Sequence, residues 1–65
     1  MTWLVRVDGD VVSRHDDRSA AVDVLREEAV EAGYARDEVE SAIEEADEPR
    51  LYDEPEILVE EAPDV

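Results

Sequence analysis

From Val7 to Val11 the chain reads VDGDV, and the Asp8-Gly9 pair at its centre is the strongest short-range signal for a β-hairpin. A two-residue hairpin turn needs φ > 0 at its centre, which Gly adopts freely and Asp tolerates. The flanks agree with this reading. TWLVRV alternates as a strand does, with Trp3, Val5 and Val7 on one face and Leu4 and Arg6 on the other. Val11, Val12, Ser13 and Arg14 form the return strand. A hairpin that opens a chain must have one face covered by the remainder of that chain, because two strands alone are barely stable in water.

Residues 16–48 read as two helices. Asp16 or Asp17 can cap the first, and Val22, Leu25, Ala29 and Ala32 recur at helical spacing, with Ala21 widening the stripe. Gly33 stands where a left-handed cap belongs, with Tyr34 placed to fold back on Ala29. The second helix carries Val39, Ala42, Ile43 and Ala46 on one face, with Asp37 and Glu40 spaced like a capping box at its start. Pro49 stops it by about Glu48. Leu51 and Tyr52 read as loop anchors, and Glu-Ile-Leu-Val-Glu after Pro55 reads as a third strand. The order β-β-α-α-β predicts an α+β fold. The economical form is a two-layer sandwich, both helices on one face of a three-stranded sheet of order 2-1-3. Residues 1–61 are expected to form a single domain and residues 62–65 a frayed C-terminal end.

Charge is the second constraint. Twenty-one acids face six arginines, with no lysine and no cysteine, for a net charge of −15 and a pI near 4.1. Residues 1–36 hold eight of the acids and five arginines, whereas residues 37–65 hold thirteen acids and one arginine. This composition resembles that of the small acidic proteins of halophilic archaea. The resemblance covers the whole chain but rests on no motif, so it transfers no site residues. It implies a cytoplasmic protein in which acidity belongs to the solvent. At about 1 M salt the Debye length is roughly 3 Å, and surface carboxylates hydrate the protein without strongly repelling one another. No apolar run approaches the roughly 18 residues of a membrane span, and the N-terminus has no basic start of a signal peptide.

Chemistry-bearing patterns are sparse. His15 sits beside Asp16 and Asp17, yet no nucleophile motif accompanies it, and it reads as a strand-end residue. Arg14, His15 and Arg18 could converge on an anion near the helix start, although pairing with nearby aspartates is the favoured reading. The carboxylates form no calcium-loop pattern, so only nonspecific hydrated cations are expected, with no dedicated metal site and no cofactor. A basic footprint for direct nucleic-acid binding is lacking.

The more informative set is Leu4, Arg6, Val11, Ser13 and Leu58, expected on the sheet face that no helix covers. Such a face often dimerises or holds a partner. The expected function is therefore a non-enzymatic protein–protein interaction or accessory module adapted to high salt, self-associating through its sheet. Its partner would be a second copy or another protein. The alternative is an acidic nucleic-acid mimic that blocks a DNA-binding protein. An enzyme using buried carboxylates would need a pocket that a chain this short can hardly form alone.

Overall fold

The hairpin forms as its turn residues dictate. In the computed structural model, which describes residues 2–62, β1 (Thr2–Val7) and β2 (Asp10–His15) are joined by Asp8 at φ 53° and Gly9 at φ 87°. Both values are positive, which is the mirror-image turn that suits strand twist. The turn is also tied to the far end of the chain: the Asp8 amide donates to the Glu56 carbonyl at 2.8 Å, and Asp8 Oδ1 accepts from the Glu56 amide at 3.1 Å.

Helix α1 (Arg18–Ala32) has the expected ends. The Asp17 side chain accepts from the Ala20 amide at 3.0 Å, satisfying one of the orphan donors. Gly33 is left-handed at φ 100°, the Tyr34 amide reaches the Ala29 carbonyl at 2.9 Å, and the Gly33 amide reaches Val30 at 3.1 Å. That pair of bonds is the Schellman arrangement. Helix α2 (Arg36–Glu45) departs from expectation. Its N-cap is Ala35, no side chain caps it, and Asp37 lies inside the first turn with Glu38. There both acids still favour the positive end of the helix dipole.

The sheet has four strands, not three. A two-residue strand β3 (Arg50–Leu51) lies outside β4 (Ile57–Ala62), giving the antiparallel order β2-β1-β4-β3. The anticipated neighbours do pair, because β1 and β4 match from Thr2 with Ala62 to Val7 with Ile57. The extra strand arises because the loop after α2 zips onto β4: the Val59 amide donates to the Pro49 carbonyl at 2.9 Å, and Leu51 is buried opposite Ile57. Leu51 is thus an anchor, but one held in a ladder. Ala62 closes β4, and residues 63–65, expected with it to form a frayed end, lie outside the described residues.

Register assigns the two faces. Val5 pairs with Val59 and Val7 with Ile57 on the helix side, and Val5, Val59 and Ile57 form the core with Leu51, Ala21, Leu25, Ala29 and Val39. Trp3, Val7, Tyr34, Ala42 and Ile43 pack around it. Among the described residues no polar or charged side chain is buried. The core is purely apolar, as expected where no partnered charge offsets the loss of water.

Candidate functional site: the open face of the sheet

The face away from the helices is built by strand parity, and one irregularity decides its membership. Val5 pairs with Ser13 and Arg6 with Val11, so Val12 is an extra residue, a β-bulge. Beyond it the alternation of β2 is reversed. Ser13 and His15 therefore pair with Val5 and Trp3 on the helix side, while Arg14 pairs with Leu4 on the open side. The expected set loses Ser13 and gains Arg14. The physical reason is that a one-residue shift flips every later side chain.

The open face consists of three neighbouring rows, of which the first, Thr2 with Ala62, carries no charge. Arg14, Leu4 and Glu60 form the second; Val11, Arg6, Leu58 and Arg50 form the third. Leu4 and Leu58, expected to be uncovered, are only 9% and 7% exposed within the single chain. Their paired neighbours are long charged side chains, whose methylene stems can lie over apolar surface. Val11 and Val12, on the edge strand, remain 36% and 48% exposed.

Charge on this face runs against the rest of the molecule. Three arginines and one glutamate give it a formal +2 in a chain of −15, which leaves −17 for everything else. Arg6 pairs with Glu60, and its Nη1 donates to the Gly9 carbonyl at 2.9 Å. The side chains of Arg14 and Arg50 make no hydrogen bond or ion pair with the described residues, despite the excess of carboxylates.

The anticipated anion cluster does not assemble. Arg14 lies on the open face, His15 Nε2 shares a 2.9 Å hydrogen bond with Ser13 Oγ on the helix side, and Arg18 is committed elsewhere. The Arg18 guanidinium donates to the carbonyls of Asp47 at 2.8 Å and of Ile43 and Ala46 at 3.0 Å. Those carbonyls belong to the end of α2 and the turn beyond it, where a cation complements the helix dipole. No spacing rule in the sequence foretells a contact made across 25 positions or more.

The remaining charged contacts are structural. Arg26 grips Glu40 through Nε at 2.6 Å and Nη2 at 3.3 Å, and donates to Asp23 at 2.9 Å, fastening α1 to α2. The Arg26 hydrogen bond holds the Glu40 carboxyl below the ordinary glutamate range, and the same contact raises Arg26 further. Tyr34 reaches the carbonyls of Asp53 at 2.7 Å and Pro55 at 2.8 Å. Burial pushes the Tyr34 phenol up, and Asp53 and Glu38 add to the effect. A shallow groove beside α2 is lined by Glu38, Glu45, Asp47, Glu48 and Asp53 together with Arg50, so this edge-strand arginine borders the acidic side as well as the open face. No group of three His, Cys, Asp or Glu side chains among the described residues is arranged to hold a metal ion. No described helix is long and apolar enough to cross a membrane.

No protein family, curated protein or solved structure matches this chain.

Proposed function

We propose that the protein is a non-enzymatic protein–protein interaction module adapted to high salt, with the open face of its sheet as the binding surface. The observation that carries this reading is the formal +2 of that face in a chain of −15, with the side chains of Arg14 and Arg50 unpartnered among the described residues. Arginine forks are among the commonest anchors of protein interfaces, because a planar guanidinium pairs bidentately and is weakly hydrated. High-salt adaptation is supported by the carboxylate excess and the absence of lysine.

The same geometry ranks the possible partners. A two-fold, face-to-face pairing of copies would set arginines against arginines, and Leu4 and Leu58 offer little further area to bury. Self-association through the sheet is therefore left to the β2 edge. There two antiparallel copies would place Asp10 opposite His15 and Val12 opposite Ser13. The bulge at Val12 blunts that edge. Another protein on the open face is the better fit.

Site-specific photo-crosslinking tests the reading. A crosslinker at Val11, on the open face, is compared with one at Ser19, on the exposed side of α1, in native cell extract at about 2 M KCl. A defined heteromeric adduct from Val11 alone, identified by mass spectrometry, is the expected result. Adducts of equal yield from both sites, or none from either, would rule the surface out.

A further inference from the structure

We infer that the open face recognises an acidic polypeptide segment in extended conformation, and that added salt strengthens this recognition. The inference rests on the reading of that face as an interaction surface and names the chemistry of its partner.

Geometry defines the ligand. Arg14 and Arg50 stand on the two edge strands in adjacent rows, three inter-strand steps apart. At about 4.8 Å per step and about 3.4 Å per residue along a strand, their Cα atoms are roughly 16 Å apart. An extended peptide crossing the face presents every second side chain to it, and positions i and i+4 lie about 13 Å apart. Two carboxylates at that spacing can reach both forks, with a residue between them over Leu4 and Leu58. A nucleic acid fits less well. Trp3 and Tyr34 pack around the core on the helix side, which leaves Tyr52, just past β3, as a single exposed ring near the face rather than a stacking series. A phosphate chain longer than the face would also run into the surrounding −17.

The sign of the salt effect comes from range. At 0.1 M salt the Debye length is about 10 Å against a smallest extent of 16 Å for the fold, so part of the repulsion between the acidic side and an acidic partner persists through the sheet. At 1 M it is roughly 3 Å, and only groups in contact are felt. A bidentate arginine–carboxylate contact, at about 2.8 Å, survives that screening better than the long-range repulsion does. Ordinary charge-driven binding weakens with salt; here the trend reverses.

The probe is a fluorescein-labelled peptide, Gly-Glu-Val-Thr-Val-Glu-Gly, with its Glu→Gln counterpart and a labelled ten-nucleotide thymidine strand as controls. Anisotropy titrations run from about 0.1 to about 1 M KCl, the span over which the long-range repulsion is screened out, restricted to the range in which far-UV circular dichroism shows the fold unchanged. Binding of the acidic peptide should tighten about fivefold or more across that range. Arg14→Gln and Arg50→Gln should each weaken it by about fivefold, the upper end for one solvent-exposed ion pair, whereas Arg36→Gln should leave it unaltered. Equal binding of the glutamine peptide would overturn acid recognition while leaving the face an interaction surface. Affinity that falls with salt, tighter binding of the thymidine strand, or no saturable peptide binding would also overturn the inference. Only the crosslinking result bears on the surface itself.

Discussion

Arg18 and Ile43 are 25 positions apart, and the guanidinium of the first donates to the backbone carbonyl of the second at 3.0 Å. With the bonds to Ala46 and Asp47, one side chain at the start of α1 closes the end of α2. Helix α2 needs this because it has no side-chain N-cap and no basic residue in its last turn.

Arg18→Met should therefore destabilise the protein by about 1–2 kcal/mol, since it leaves carbonyls at a helix end without their charged donor. Arg18→Lys should recover only part of the loss, because an ammonium cannot span three acceptors with a planar fork. Urea midpoints at about 2 M KCl measure both. A midpoint unchanged in Arg18→Met would mean that water caps the helix equally well.

The grip of Arg26 on Glu40 gives a pH-dependent signature. Glu40 is held below the ordinary value of 4.5, so its contribution to stability is present above that pH and is lost as pH falls through its lower folded-state value. Glu40→Gln should be less stable than the parent at pH 7, with the two curves converging below pH 4.5. Parallel curves down to acidic pH would contradict the assigned pair.

Tyr34 ties the loop at residues 53–55 to the end of α1 through its hydroxyl. Tyr34→Phe removes the donor while keeping the ring, and a loss of about 1 kcal/mol is expected. Thermal melts should show it together with faster amide exchange at Asp53 and Glu54; a stable variant with an unchanged loop would count against the clamp.

Dilution of salt should unravel the helix layer before the sheet. Helix α2 carries five acids and one arginine in ten residues, whereas Val59 is fully buried in an inner strand. Amide exchange at Ile43 should accelerate at higher residual KCl than exchange at Val59. Simultaneous loss at both sites would indicate a single cooperative unit.

Legibility in the sequence tracked the range of the interactions. The Asp8-Gly9 turn and the Gly33 terminus depend on a few adjacent residues and could be read directly, and the cap could be narrowed to Asp16 or Asp17, of which Asp17 serves. Strand β3 could not, because two residues carry no periodicity and it exists only through the contact of Pro49 with Val59. The bulge at Val12 was equally silent: a run of two valines fits a regular strand and a bulged one alike. That single residue moved Ser13 off the open face and Arg14 onto it. The arginine cluster dissolved because the bulge turned Arg14 and His15 to opposite faces and Arg18 bonds to carbonyls that proximity in sequence does not identify.

The pairing of Thr2 with Ala62 has a consequence for how the protein comes into being. Of the four strands of the sheet, the two inner ones come first and last in chain order. Until Ile57 has been made, β1 has a neighbour on one side only, and Val5 has nothing to close against on the other. A product stalled before that point is missing half the centre of the sheet, a deeper loss than a missing edge. The nascent hairpin and α1 must wait with only eight acids against five arginines in residues 1–36, so the acid-rich second half completes the solvent coat together with the sheet.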